Sequence, residues 1–286
     1  MALHPDHVLD REELAASHEV IAELSYPPRD IQRGYANRTL KIDLSTNTLE
    51  ILEVDDETKR IFVGGRGYGL NGGLSDTAPH DNLFAPTQFG SGGGQNGGVA
   101  GGRGGGRLRL EVDGTLTVDG TVSANGNNGS TSGYDYASGG GAGGTIDITA
   151  GDVAGNGAIR ANGGNGSNAS YADGGGGAGG RIRIQGTGEL PDLGSVSIQT
   201  YGGEGYGSAH RGGAGTAYVR SGPSATLGHM TVDNGGNTGV HTVFSGDPLA
   251  FETLTVSGRA ILRLDATVTT GAMTMTGFGT LTHSTG

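Results

Sequence analysis

The sequence predicts a mainly β protein: a glycine-rich parallel β-helix, or solenoid, after a small α+β amino-terminal region. Three observations predict it. Glycine occupies 61 of 286 positions, and 43 of these fall within 90–220. Short β-type strings recur through that window at nearly constant intervals. Within the strings, apolar residues alternate with polar ones, the mark of a strand with one buried face.

Composition divides the chain into three parts. Lys41 and Lys59 are the only lysines, and residues 1–87 carry 15 acids against 8 Lys or Arg. Residues 88–220 hold most of the glycine, and in 221–286 the glycines thin out. We therefore expect an amino-terminal region at 1–87, a repeat region at 88–220 and a continuation of the same fold at 221–286.

In the first part, Asp10 followed by Glu13 resembles a capping box. Leu14, Val20, Ile21 and Leu24 fall at near-helical spacing before Pro27 and Pro28. A helix is expected over 11–24. Leu40, Ile42 and Leu44 alternate with polar residues, Ser45–Asn47 supply turn chemistry, and Leu49 and Ile51 resume the alternation. That is a β-hairpin pattern. Asp55 could cap one helical turn in "DDETKRIF", and "VGGRGYG" follows. Glycines after a short apolar run can cradle a phosphate or make a tight turn. A P-loop is excluded, because no GxxxxGK[ST] is present.

"GYANRTLKIDLSTNTLEILEVDDETKRIFVGGRGYGL", residues 34–70, resembles the amino-terminal end of the aldehyde:ferredoxin oxidoreductase family. The matching elements are Ile42–Thr46, Asp55–Lys59 and Gly64–Gly67, with a fainter likeness in "APHDNLFAP" at 78–86. The resemblance extends at most over 27–86. It implies a tungstopterin or molybdopterin cofactor, approached by Gly64, Gly65, Arg66 and Gly67. The chain departs from the family in lacking its GPLTG-like segment and the cysteines of its iron–sulfur cluster, since it contains no cysteine. The implied cofactor site is thus incomplete in this chain.

The repeat region is read from two sets of strings. "GGGRLRL" ends at Leu110, "GAGGTIDI" at Ile148, "GAGGRIRI" at Ile184 and "GGAGTAYV" at Val219, at intervals of 38, 36 and 35 residues. Between them lie "GTVSANGNNG" at 120–129, "GAIRANGGNG" at 157–166 and "VSIQTYGGEG" at 196–205. The second GGRG, Gly101–Gly104, is punctuation of this repeat. A unit of ~37 residues with two strands buries its apolar face only by stacking on its neighbours. Runs such as "DGGGGAGG" at 173–180 offer an alternative geometry, packed polyglycine-II-like strands. Apolar positions 108, 110, 112, 116, 118, 122 and 124 share one parity. Arg107, Arg109, Arg181 and Arg183 fall on the other face, expected to be solvated. In the last part "LTVSG" at Leu254 and "MTMTG" at Met273 are 19 residues apart. "GTLTHSTG" ends in mid-pattern without a polar cap, an open end, so the carboxy-terminus is expected to be truncated or completed by another chain.

The net charge of −11 argues against nucleic-acid binding. No apolar run approaches the length of a membrane span. "MALHPDHVLDREELAASHEV" lacks a signal-peptide pattern, which favours the cytoplasm, whereas the repeats favour export. Histidines 4, 7, 18, 80, 210, 229, 241 and 283 show no HxH or HExxH spacing, and no GxSxG elbow occurs. Asp113, Asp119 and Asp147 lie in the strand region. Tyr134, Tyr136, Tyr171, Tyr201 and Tyr206 fall in Gly/Ser/Asn-rich loops. Such loops suit adaptable binding surfaces, although each tyrosine can equally plug its own loop. The expected function is a structural or adhesive repeat module with no self-contained catalytic site. Its expected partner is carbohydrate or another protein at the tyrosine-bearing loops, or a second copy at the open carboxy-terminal end. The alternative is a fragment or fusion of a pterin oxidoreductase.

Overall fold

The computed structural model describes the backbone of residues 38–43 and 48–53 and all of 82–283 except 133–135, 171, 189–190, 208, 223–224 and 246–247. The helix expected at 11–24, the helical turn at Asp55 and Gly64–Gly67 lie outside these residues. The described part is β throughout, with mostly parallel pairing. Its strands are β1 (Arg38–Asp43), β2 (Thr48–Glu53), β3 (Arg107–Thr117), β4 (Thr121–Ser123), β5 (Thr145–Ala154), β6 (Ala158–Arg160), β7 (Arg181–Gly186) and β8 (Ser197–Gln199). There follow β9 (Thr216–Arg220), β10 (His229–Asp233), β11 (Thr242–Phe244), β12 (Leu249–Ser257), β13 (Ile261–Leu264), β14 (Val268–Met275) and β15 (Thr280–His283).

Nine strands form one sheet in the order β14-β12-β10-β9-β7-β5-β3-β1-β2. Two smaller sheets run β4-β6-β8 and β11-β13-β15. The expected hairpin is present, with Asp43 opposite Thr48, and β1 joins β3 in parallel with Ile42 opposite Leu110. The recurring strings lie in register on one another: Leu110 faces Ile148, Ile148 faces Ile184, and Ile184 faces Val219. In the first small sheet Val122 faces Ile159 and Ile159 faces Ile198. Further along, Leu254 faces Met273.

Burial follows the alternation. Ile146, Ile148, Ile182 and Ile184 are fully buried and pack with Val118, Ile159 and Val196 across to the β4-β6-β8 sheet. The alternation breaks in β5, where Ala150 and Val153 both face the core, and one residue fewer passes the bend than in β3. This is a bulge-type register shift, which bends a strand and re-aims its side chains.

The Gly-rich runs between strands obey a different rule. Six consecutive N–H groups point to three neighbouring segments in rotation. Gly139 and Ala142 donate to Gly94 and Ser91 (3.0 and 2.9 Å). Gly140 and Gly143 donate to Gly175 and Ala178 (3.0 and 2.9 Å). Gly141 and Gly144 donate to Asn127 and Ala124 (2.9 and 2.7 Å). The same three-residue step joins Gly102 and Gly105 to Gly139 and Ala142, and Gly176 and Gly179 to His210 and Gly213. Backbones this close leave no room for a side chain. A Cβ at Gly177 would lie 2.0 Å from the Gly141 carbonyl oxygen, and one at Gly141 2.1 Å from that of Arg103. Alanine enters these runs at Ala142 and Ala178, both half-buried rather than enclosed.

Chain direction reverses after β9. β10 pairs with β9 antiparallel, with Met230 opposite Tyr218, and β12 and β14 then continue parallel to β10. Directly paired residues share a sheet face. Tyr218 is in register with Arg183, so Met230 lies on the face opposite Ile182. A second core accordingly forms there, from Tyr218, Met230, Val232, Leu254 and Val256 against Phe244 and Leu262 of the β11-β13-β15 sheet. Phe84 seals it, 5.1 Å from Tyr218 and 5.6 Å from Phe251 between ring centres. One long sheet thus carries two cores on opposite faces.

The face opposite Ile182 is not solvated as the alternation suggests. Arg107, Arg181 and Arg183 are half-buried and Asp147 is buried; Arg109 alone of the four arginines is exposed. The segment 82–90 crosses this face, where the Gln88 carbonyl accepts from Thr145 Oγ1 at 2.6 Å and Phe84 meets Tyr218.

Two substitutions separate these packing modes. Ile182→Ala should cost about 2–5 kcal/mol, as for a buried aliphatic side chain. Gly177→Ala, which adds rather than removes a methyl group, should cost about 1–3 kcal/mol by overpacking. Gly114→Ala, where nothing lies within 4 Å of the added Cβ, should stay within about 0.5 kcal/mol. Chemical denaturation of the three variants checks the ranking; a silent Gly177→Ala would contradict the close backbone packing.

Candidate functional site

Two surfaces gather side chains capable of chemistry. The first lies at the tips of the Gly-rich segments. Tyr136 bridges in parallel to Ala172, and Tyr206 N–H donates to the Gly174 carbonyl at 3.2 Å, so three successive layers meet at this end. Tyr136 and Tyr206 are 42% and 37% exposed, although they are large aromatic residues. The Tyr136 ring rests on the Asn96–Val99 turn, where a Cβ at Gly97 would come within 2.3 Å of it. Glu204 pairs with Arg211 at 3.1 Å, and His210 is exposed nearby in sequence. Tyr134 and Tyr171 lie outside the described residues.

Tyr201 is set apart from this group. It is half-buried, with its ring against Gly235. Burial pushes its hydroxyl above the usual tyrosine range, the Asp233 charge adds to this, and Arg160 opposes it. Of the three described loop tyrosines, Tyr201 therefore plugs a neighbouring turn, whereas Tyr136 and Tyr206 keep free ring surface.

What holds the tips was not singled out from the sequence. Asn125 Oδ1 accepts the Asn162 N–H and Asn162 Oδ1 accepts that of Tyr201, each at 2.8 Å. In parallel, Asn128 Oδ1 accepts from Asn165 and Asn165 Oδ1 from Glu204, each at 2.8 Å. Each amide oxygen satisfies the backbone of the next layer, so two ladders brace the stack. The signal was present in the "ANGNNG" and "ANGGNG" strings, which align Asn125 with Asn162 and Asn128 with Asn165.

The second surface is the covered face of the long sheet. Arg183 pairs with Asp147 and also reaches Gln185, Arg109 Nε lies 4.0 Å from Asp147, and Arg220 Nε donates to Gln185 at 3.0 Å. Arg109 also pairs with Glu111. This row ties β3, β5, β7 and β9 together. Tyr218 borders it; burial raises its hydroxyl above the usual range, while Arg220 and Arg183 pull the other way. Asp147 is thus an ionic strut between neighbouring strands. Asp113 and Asp119 are exposed, and Asp119 Oδ1 accepts the Asn156 N–H at 3.2 Å.

The histidines are dispersed. His229 Nδ1 meets Thr253 Oγ1 at 2.9 Å, and His241 Nε2 meets Arg263 Nη1 at 2.8 Å. Among the described residues no group of three His, Cys, Asp or Glu is placed to hold a metal ion. Nor is any helix there long and apolar enough to cross a membrane. Gly64, Gly65, Arg66 and Gly67, the residues implied to approach a pterin, lie outside the described residues. Neither a protein family, nor a curated protein, nor a solved structure matches the chain.

Asp147→Ala should cost about 3–5 kcal/mol, because it leaves the arginine charge of Arg183 buried without its partner. Arg109→Ala, at the exposed end of the row, should cost no more than about 1 kcal/mol. Thermal or urea unfolding measures both. Equal effects would mean that the row is as solvated at Arg183 as at Arg109.

Proposed function

We propose that this chain is a structural and adhesive module: a β-solenoid whose Gly-rich runs pack as polyglycine-II-like segments and whose tyrosine-bearing tips bind carbohydrate. The observation that carries this reading is the rotation of six successive N–H groups, 139–144, among three neighbouring segments. A three-residue period is that of an extended threefold helix, which makes no hydrogen bonds within itself. Such segments are stable only when bonded to one another. They fill the space between layers with backbone, and so favour a rigid display surface over an enclosed reaction chamber.

The chemistry of the tips supports carbohydrate as the ligand class. Tyr136 and Tyr206 offer flat apolar rings, and Asn127, Asn128 and Glu204 in the same Gly-rich loops are exposed polar groups. An aromatic face buries the C–H face of a sugar, while amides and carboxylates meet its hydroxyls. Parallel layers repeat at about 4.8 Å. The backbones of Tyr136 and Tyr206, two layers apart, are therefore separated by about 10 Å. That spacing suits an extended oligosaccharide better than a monosaccharide.

Binding to a panel of immobilised polysaccharides, followed by calorimetry on the positive ones, tests the proposal. Tyr206→Ala should weaken binding about 3- to 10-fold. The double substitution with Tyr136→Ala should abolish measurable binding at an essentially unchanged melting temperature. Binding that survives the double substitution, or that is confined to a protein ligand, would overturn the carbohydrate reading.

A further inference from the structure

We propose that Asn96 is a site of spontaneous covalent modification: the Gly97 nitrogen attacks the Asn96 side-chain amide, ammonia leaves, and hydrolysis puts an isoaspartyl link into the turn that supports Tyr136. An Asn-Gly pair is the sequence most open to this reaction, because glycine has no side chain to shield its nitrogen and adapts readily to the cyclic product. The glycine N–H must be free to lose its proton and turn onto the side chain, so a hydrogen bond from that N–H blocks the reaction. Seven Asn-Gly pairs lie among the described residues, and their N–H bonding sorts them.

Six of the seven are locked. Gly126, Gly129, Gly163 and Gly166 donate to the carbonyls of Asn162, Asn165, Tyr201 and Glu204 at 2.8, 2.7, 2.8 and 2.8 Å. Gly157 donates to the Val118 carbonyl at 2.8 Å, and Gly235 to Asp233 Oδ1 at 2.9 Å. Asn125, Asn128, Asn162, Asn165 and Asn234 are held a second time, since each Oδ1 accepts a backbone N–H. Asn156 is exposed and relies on the Gly157 bond. Asn96 lacks both locks. Asn96–Val99 is a two-residue hairpin turn, in which Asn96 N–H donates to Val99 at 3.1 Å and Val99 N–H to Asn96 at 2.8 Å. Gly97 and Gly98 fill its centre at φ 54° and 81°, and both are exposed. The central residues of such a turn lie outside the ladder, and the Gly97 N–H makes no hydrogen bond among the described residues. The Asn96 side chain is held by one long bond, from Nδ2 to the Ala137 carbonyl at 3.3 Å.

The chemistry needs only water and hydroxide. Hydroxide takes the Gly97 N–H proton, the nitrogen bonds to Asn96 Cγ, and the Cγ–Nδ2 bond breaks with release of ammonia. Water then opens the cyclic imide. Cleavage between Cγ and the nitrogen gives aspartate. Cleavage between the main-chain carbonyl carbon and the nitrogen gives isoaspartate, whose backbone runs through Cβ and Cγ. Either product has a carboxylate where Nδ2 donated to Ala137, so that bond is lost beside Tyr136. The isoaspartyl form also carries an extra backbone atom through a turn closed by two hydrogen bonds. The Tyr136 ring rests on that turn, against Gly97, so its support changes with the modification. The site does not rest on the carbohydrate reading.

Peptide mapping by mass spectrometry of the full chain, held in mildly alkaline buffer, tests this, with fragment ions placing each change. Exchange of NH2 for OH at Asn96 should run about 5-fold ahead of the more exposed Asn156, the effect of the one hydrogen bond that Gly157 makes and Gly97 lacks. The rate should rise with hydroxide concentration. Asn96→Gln, which must close a larger ring, should stay unmodified at that position over the same time. The isoaspartyl fraction separates from unmodified protein by its added negative charge, and its amide hydrogen exchange at 136–138 should be faster. Asn96→Asp, which loses the amide but keeps the backbone length, should exchange more slowly there than the isoaspartyl form. An Asn96 that stays unmodified, an Asn156 that reacts as fast, or unchanged exchange at 136–138 in the isoaspartyl fraction would each overturn the proposal.

Discussion

Every buried N–H needs an acceptor, and the Gly-rich runs are the place where this requirement is hardest to meet. With almost no side chains they cannot cap or shield themselves, and a threefold extended segment has no internal hydrogen bonds. The rotation of N–H groups through residues 139–144 resolves this by giving each segment three neighbours. The rest of the architecture follows from it. The segments must lie parallel to their equivalents one layer away, at Gly140 to Gly175 and Gly176 to His210, so the strands between them are held in parallel register as well. Glycine is required because each Cβ direction points at a carbonyl about 2 Å away, as at Gly141, Gly164, Gly177 and Gly203. The conformational entropy lost in ordering glycine is high. It is offset by a dense set of backbone hydrogen bonds rather than by an unusually large core.

The reversal between β9 and β10 has a geometric consequence that joins the two halves. Rotating a stack by half a turn about its own stacking direction reverses the strands and exchanges the two faces together, and preserves the hand of the crossovers. Both changes occur here: β10 runs antiparallel to β9, and the core moves from the Ile182 face to the Tyr218 face. Parallel crossovers have a strongly preferred hand. A reversal without a change of face would have required crossovers of the opposite hand in residues 229–283. Tyr218 sits at the joint, buried in the second core while its own strand still pairs with β7 of the first.

The sequence was most informative where two residues repeat at a fixed offset. Leu110, Ile148, Ile184 and Val219 predicted the strand register, because the strings align by their letters and a one-residue slip would turn every apolar position to the other face. The hairpin was legible from alternation around Ser45–Asn47. The arginine face was misread because alternation tells which face is apolar, not whether the other is wet. Residues 82–90, far away in sequence, cover it. The direction reversal was illegible because the letters of β10 alternate equally well in either direction. A stack of three turns, in which Gly236 N–H donates to the Gly258 carbonyl and Arg259 N–H to that of Gly277, was missed for a different reason. Asn234–Asn237, Ser257–Ala260 and Thr276–Gly279 all place two residues at positive φ, but Arg259 and Phe278, at φ 60° and 62°, occupy sites where glycine would be the usual signal. Tyr136 and Tyr206, the proposed binding residues, and Tyr201 were all visible as loop aromatics. Their division into a plug and two exposed rings depended on Gly97 and Gly235 in other layers.

The same constraint explains where binding chemistry can reside. A side chain projecting from the middle of a Gly-rich run would displace a neighbouring backbone, so functional groups are confined to the ends of the runs and to the outward positions of strands. The outward positions of β5 and β7 are consumed by the Asp147–Arg183 row, which joins strands instead of meeting solvent. The tips are not taken up in this way. There the asparagine ladders at Asn125–Asn162 and Asn128–Asn165 satisfy the backbone from outside the close-packed zone, and the chain can afford tyrosine. Support is thus built from glycine and asparagine, and larger side chains are confined to the few residues beyond them. In such a fold the side chains at the tips stand apart from the packing that holds them.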